Sequence, residues 1–65
     1  MTETKMFIES IYNKKSECYE RLNKSINDYA DEHNLIIKSI QYDRLDDAII
    51  SNVLFSDIPN ELFLL

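Results

Sequence analysis

The chain has 65 residues, a formal net charge of −5 at pH 7, a single cysteine and no glycine. A domain of this size hides only about 60% of the surface that its unfolded chain exposes, and one cysteine excludes an internal disulfide, so a metal or self-association has to support the core. The acidic charge argues against duplex nucleic acid and membranes as partners, and the absence of a membrane span or signal peptide predicts one cytoplasmic domain over residues 1–65.

The first two elements are predicted to be a short strand and a long helix. Residues 4–9 place three apolar side chains between charged ones, which suits an edge strand. From residue 13 to residue 33 the apolar side chains recur every three or four positions, which is the repeat of one helix face. Asn13 is a candidate cap for the helix, with nearby serines as alternatives. Asn34 is expected to close the helix in the left-handed conformation, with Leu35 folded back as in a Schellman motif.

The second half of the chain has the pattern of a β-hairpin. Residues 35–42 and 48–55 are rich in isoleucine and valine, and the polar cluster at 43–47 separates them. Because the chain lacks glycine, we expect a four- or five-residue loop built on a type I turn rather than a two-residue primed turn. Strict alternation puts Ile37 and Ile40 on opposite faces, so both faces keep large aliphatic side chains and one face needs cover from elsewhere.

The predicted fold class is therefore α+β, in the order β-α-β-β, with one long helix packed on a small three-stranded sheet. An apolar tail follows at residues 58–65. Soluble monomers seldom expose several large apolar side chains together, so this tail is expected either to fold back over the open face of the sheet or to dock on another subunit. The tail residues predicted to form an oligomer interface are Leu62, Phe63, Leu64 and Leu65.

The sequence shows no catalytic or metal-binding constellation. Cys18 and His33 lie about 22 Å apart on the predicted helix, at 1.5 Å per residue, so they cannot act as nucleophile and base within one chain. Cys18 is instead expected to be a small buried hydrophobic residue. The aspartates at 43–47 lack the spacing of a calcium loop, and a chain without glycine cannot form a glycine-rich phosphate loop. We therefore expect no enzyme activity, no metal site and no cofactor.

Binding is the function that these residue types favour. Four tyrosines supply flat apolar area with a hydroxyl that an interface can satisfy. Basic residues gather in the first half of the predicted helix, and two copies that met there would line a pocket for an anionic planar ligand. The candidate ligand-binding residues are Tyr19, Arg21, Lys24, Tyr42 and Arg44. Alternatively, the tyrosines lie at the rim of the core and the basic side chains cover apolar surface.

The order of the segments "TKMFIES", "INDYADEHN", "LIIKSIQYD" and "AIISNVLF" resembles the small sporulation-associated proteins of about this length, which also occur in phage and mobile-element genomes. The resemblance covers residues 4–55 and implies a protein without catalytic residues. The segment "IYNKKSECYERL" and the apolar tail after Pro59 depart from the pattern of that family. For a phage or mobile-element protein, the resemblance implies an inhibitor of a host process.

Three functions stay open at this point. The first is a homo-oligomer that sequesters a small anionic, nucleotide-like signal between its subunits. The second is an acidic protein that occludes a basic surface on a host protein, as a nucleic-acid mimic does. The residues expected to form its acidic face are Asp28, Asp31, Glu32, Asp43, Asp46 and Asp47. The third is a structural or accessory role in sporulation.

Overall fold

The computed structural model describes residues 2–57, in which one helix packs on one face of an antiparallel sheet. The elements in chain order are β1 (Thr2–Ser10), α1 (Lys15–Glu32), β2 (Ile36–Arg44) and β3 (Ala48–Ser56). The predicted α+β fold in the order β-α-β-β is confirmed. β3 lies in the centre of the sheet between β1 and β2, so β1 is an edge strand as predicted. The predicted tail at 58–65 lies outside the described residues.

The two ends of α1 differ in how their backbone groups are satisfied. The cap at the amino end is Lys14 rather than the predicted Asn13, and its side chain makes no capping hydrogen bond, because an ammonium group has no acceptor atom. At the carboxyl end Asn34 has a φ of 53°. The backbone N–H of Leu35 donates to the carbonyl of Ala30 at 2.8 Å. The predicted Schellman motif is therefore confirmed.

The connection between β2 and β3 is shorter than the predicted loop. Only residues 45–47 lie between the two strands, and the backbone N–H of Leu45 donates to the carbonyl of Ala48 at 2.8 Å. The backbone N–H of Ile11 in turn donates to the carbonyl of Asp47 at 2.8 Å. These hydrogen bonds extend the paired region into the polar cluster at 43–47. The composition of that cluster predicts a loop and does not indicate this pairing.

An irregularity in β2 changes which of its side chains share a face. The register with β3 shifts after Ile37, with Lys38 as the extra residue of a β-bulge. Because a bulge adds one residue to one strand only, the alternation of side chains restarts after it. Ile37 and Ile40 consequently pack on the same side as the core residues Val53 and Phe55. The prediction that they lie on opposite faces is wrong.

The core lies between α1 and the face of the sheet that it covers. Its buried apolar residues are Cys18, Leu22, Ile26, Ala30, Ile49, Val53 and Phe55. Cys18 is a fully buried free thiol, as predicted, and its Sγ lies 3.5 Å from the carbonyl oxygen of Glu9. Ser51 is also fully buried on this side, and its hydroxyl has no hydrogen-bond partner among the described residues. Within residues 2–57, the Ser51 hydroxyl is therefore a buried polar group without a hydrogen bond.

Candidate functional site

The charges of α1 are arranged against the dipole of the helix. A helix is stabilised by acidic side chains at its amino end and by basic side chains at its carboxyl end. α1 instead begins with Lys15, directly after Lys14, and ends with Asp31 and Glu32, and its last turn contains no basic residue. Only Glu17 in the first turn has the favourable sign. Helix stability therefore does not explain this charge order, and each end of α1 favours a partner of the opposite charge.

Arg21 joins the first half of α1 to the end of β1. Its Nε donates to the Glu9 carboxylate at 2.9 Å, and its Nη2 donates to the carbonyl of Ser10 at 2.9 Å. The hydrogen bond with Glu9 raises the pKa of Arg21 above its ordinary value. The guanidinium carbon lies 5.5 Å from the centre of the Tyr12 ring, which is 77% exposed. The guanidinium group of Arg21 is therefore held in place beside an exposed aromatic ring. Its two hydrogen bonds use only two of its five N–H donors.

Tyr19 and Tyr42 meet on the other side of α1, next to β2. Their ring centres are 5.1 Å apart at an interplanar angle of 81°, which is a favourable edge-to-face arrangement. The hydroxyl of Tyr42 donates to the side-chain oxygen of Asn23 at 2.7 Å. Because Tyr42 is still 39% exposed, the pair forms an oriented aromatic surface that a ligand can reach.

The five residues predicted to bind a ligand are Tyr19, Arg21, Lys24, Tyr42 and Arg44, and one copy of the chain does not gather them around one point. The two tyrosines meet beside β2, whereas Arg21 lies beside β1 at the opposite edge of the sheet. Lys24 forms an exposed ion pair with Asp28 at 3.0 Å, and Arg44 is exposed at the end of β2. The pocket between two copies stays a prediction.

A cleft of about 450 Å³ lies at the carboxyl end of α1. The residues that line it are Thr2, Glu3, Tyr29, His33, Leu35 and Asp57. The hydroxyl of Tyr29 donates to the Glu3 carboxylate at 2.9 Å, and this hydrogen bond raises the pKa of Tyr29. The ring of His33 lies 4.3 Å from the ring of Tyr29. Sequence reasoning missed this site because its acidic and aromatic members meet only through the order of the strands.

The residues predicted to form one acidic face lie in separate places. Asp31 and Glu32 are at the carboxyl end of α1, close to the cleft. Asp46 and Asp47 belong to the β2–β3 connection, which contacts the residue that follows β1 at the other end of the sheet. The acidic group at the carboxyl end of α1 is therefore separate from the aspartates of the β2–β3 connection.

Comparisons with protein-family models, with curated proteins and with solved structures give no match for this chain. The resemblance to sporulation-associated proteins therefore stays a prediction. In the part of the chain from residue 2 to residue 57, no helix is long and apolar enough to cross a membrane. Within the same residues, no three side chains of the types His, Cys, Asp and Glu come together in a way that would hold a metal ion.

Proposed function

We propose that this chain is a non-enzymatic, cytoplasmic binding protein that works as a homo-oligomer and holds a small anionic, nucleotide-like ligand between its subunits. The charge order of α1 is the observation that supports this proposal most directly. The first backbone amides of a helix have no partner within the helix, and Lys14 supplies no side-chain acceptor for them. An anion bound there gains from these amides, from the dipole and from Lys14 and Lys15.

The aromatic residues near this end of α1 suit the planar part of such a ligand. Tyr12 is exposed beside Arg21, and Tyr42 is half exposed beside Tyr19. Aromatic rings stack on such surfaces, and a guanidinium group binds phosphate with two parallel hydrogen bonds. Because the two aromatic surfaces lie on opposite sides of α1, a second copy has to bring one surface against the other. The ligand is therefore enclosed only in the oligomer.

The predicted resemblance of residues 4–55 to small sporulation-associated proteins, which also occur in phage and mobile-element genomes, suggests a biological setting for this proposal. A protein that encloses a small signal removes it from solution without changing it chemically. The chain would then inhibit a host process by sequestering the nucleotide-like signal on which that process depends.

Binding of nucleotides tests the proposal with variants that the structure supplies. A panel of mononucleotides, dinucleotides and cyclic nucleotides is added to the full chain, and the melting temperature and the heat of binding are measured. A ligand present at 100 times its Kd stabilises the folded protein by about 2.7 kcal/mol. Arg44→Ala and Arg21→Ala should abolish binding while the oligomer persists, whereas Lys38→Ala, which removes the same charge near the start of β2, should not. Unchanged binding in both arginine variants would refute the proposal.

A second function is favoured by the cleft at the carboxyl end of α1. Glu3 lines this cleft, and Asp31 and Glu32 end the helix beside it. A lysine or arginine of a partner protein would compensate the negative end of the dipole and reach the carboxylates of this region. The chain would then act as an acidic inhibitor that occludes a basic host surface.

A peptide rich in lysine and arginine serves as the probe for this second function. Calorimetry should show binding that weakens strongly as salt is added, because exposed charges are screened. The double variant Asp31→Asn/Glu32→Gln should lose this binding. The control Glu17→Gln/Glu20→Gln removes the same charge near the amino end of α1 and should keep it. Equal losses in both double variants would show that only the net charge matters and would contradict a site at the cleft.

A further inference from the structure

The face of the sheet opposite α1, called here the open face, has almost no charge. Paired residues of antiparallel strands share a face, and successive residues alternate. The register therefore places the even-numbered residues of β1 and β3 on the open face. In β2 the open face has Ile36 before the bulge and the odd-numbered residues 39–43 after it. Among all of these only Asp43 is charged, although 29% of the residues of the whole chain are charged.

Apart from Phe7, which packs against the core, β1 has the reverse of the pattern expected for a strand with one side in water. Sheets of this kind place apolar residues against the core and polar residues toward solvent. In β1 the charged residues Glu3, Lys5 and Glu9 are on the side of α1, while Met6 and Ile8 are on the open face, where they are 61% and 58% exposed. This edge strand therefore exposes its large aliphatic side chains on the open face.

Each of the three charged residues of β1 has a partner on the side of α1. Glu3 accepts a hydrogen bond from Tyr29, and Glu9 accepts one from Arg21. The ammonium group of Lys5 lies 5.0 Å from the centre of the Tyr29 ring. These contacts fix the register of β1, because a shift of one residue would move every side chain to the other face. The exposure of Met6 and Ile8 is therefore specified by the fold.

We propose that the open face is a surface through which two copies of this chain associate, an inference that rests on the homo-oligomer of the proposed function. Because the open face lies opposite α1, the contact that encloses the ligand beside α1 is a second, separate contact between copies. Each copy carries a net charge of −5, so two copies repel each other overall. The open face is a broad surface on which two copies meet without bringing like charges together. Its exposed aliphatic side chains supply the hydrophobic contact that drives association.

The open face is also complementary to itself. In a face-to-face dimer, a two-fold axis can lie between the two sheets, perpendicular to the strands and level with Asn52. This axis places each strand over the same strand of the partner subunit, in the reverse direction. Met6 is paired with Asn52, so both lie on the axis, and the Asn52 amides of the two copies can hydrogen-bond to each other. Ile50 then faces Leu54 of the partner subunit. The two Asp43 residues are separated by about 14 Å along the strands, at about 3.4 Å per residue, which is beyond the screening length of about 10 Å at 0.1 M salt.

The size of the face sets the expected strength of this dimer. Three strands at a spacing of about 4.8 Å and nine residues of about 3.4 Å give an outline of about 14 by 30 Å. The surface that both copies bury, including the uneven surface of their side chains, then approaches a total of about 1,200 Å², which is the low end for specific interfaces. An interface of this size is at the low end of the specific class, so we expect a dimer that dissociates on dilution.

Sedimentation of the full chain over a wide concentration range tests the assignment. Ile8→Lys places a charge within the proposed interface, two residues from the axis, and should raise the dimer Kd about tenfold or more. Leu45→Lys is the matched control, because Leu45 is a 50% exposed aliphatic residue in the β2–β3 connection, away from the open face. Both changes make the chain less acidic, so a general loss of repulsion would strengthen association in both. The double variant Met6→Thr/Ile8→Thr keeps residues that favour strands and should also weaken the dimer, with an unchanged circular dichroism spectrum.

The outcomes separate this inference from the function on which it rests. A wild-type oligomer that both open-face variants leave intact would overturn the assignment of the interface, while the homo-oligomer of the proposed function would stand. A monomer at every concentration would overturn both. In that case nuclear Overhauser contacts between Met6 and residues 62–65 would assign the open face to the tail of the same chain.

Discussion

The hydroxyl of Tyr29 donates a hydrogen bond of 2.9 Å to the carboxylate of Glu3 and joins the end of α1 to the start of β1. The two residues are 26 positions apart in the sequence. The ring of Tyr29 also contacts Phe7 and Phe55, with ring centres 6.0 and 5.1 Å away. Tyr29 therefore connects the core to the cleft, and its hydrogen bond is one reason why the Glu3 side chain is on the helix side.

The ionisation of Tyr29 reports on this hydrogen bond. The bond to Glu3, followed by burial, raises the pKa of Tyr29, so the native state holds the phenolic proton more tightly than the unfolded state does. The resulting stability is present below the unfolded pKa of about 10 and is lost as the pH rises through the folded pKa. We expect the Tyr29 ring carbon signals to titrate above pH about 10 and Glu3→Gln to lower the midpoint. A midpoint that is the same in both proteins would contradict this assignment.

Replacement of the buried Ser51 by alanine should stabilise the protein. The hydroxyl of Ser51 is fully buried without a partner among the described residues, and an unsatisfied buried polar group costs about 1–3 kcal/mol. After the loss of some packing, we expect Ser51→Ala to raise the free energy of unfolding by about 1 kcal/mol, or the melting temperature by about 4–8 °C. The exposed Ser10→Ala change should alter stability by less than about 0.5 kcal/mol. A Ser51→Ala protein that melts below the wild type would show that the hydroxyl has a partner.

Asn34 can be tested as the residue that ends α1. Its φ of 53° lies in the left-handed region, which costs an ordinary L-residue about 1–2 kcal/mol and glycine almost nothing. Asn34→Ala should therefore lower the free energy of unfolding in urea by about 1 kcal/mol, whereas Asn34→Gly should be neutral or stabilising. Equal effects of the two substitutions would mean that the left-handed conformation is not what Asn34 provides.

Removal of residues 62–65 tests the tail as part of an interface. Burial of one large aliphatic or aromatic side chain contributes about 1.5–3 kcal/mol, so four such residues are a substantial part of the stability of a small domain. We expect the shortened chain to become monomeric or to aggregate, as measured by sedimentation and by thermal melting. If mass and melting temperature stay unchanged, the tail has no role in assembly.

The helix and its end were predictable from the sequence because they depend on local features. The repeat of apolar side chains along α1 and the preference of asparagine for positive φ at Asn34 need no knowledge of the rest of the chain. The bulge at Lys38 was not predictable, since no glycine marks it and it depends on the packing of Ile37 and Ile40 against the helix. A single inserted residue therefore changed the assignment of faces for the residues of β2 that follow it.

The sites depend on the order of the strands, which could not be predicted from the pattern of apolar and polar residues. Arg21 was predicted as a ligand-binding residue from its charge, but its contacts with Glu9 and Ser10 follow from the position of β1 at the edge of the sheet. The cleft at Glu3 and Tyr29 arises in the same way. The sequence did indicate that one face of the sheet needs cover, and only the register showed that this face is nearly uncharged.

Native mass spectrometry of the protein taken directly from cells tests the central claim, that the chain is a homo-oligomer that encloses a small anionic ligand. We expect an oligomer whose mass exceeds the sum of its subunits, and denaturation should release a small anionic molecule. A monomer without any bound molecule, found at every concentration, would contradict both the assembly and the sequestration.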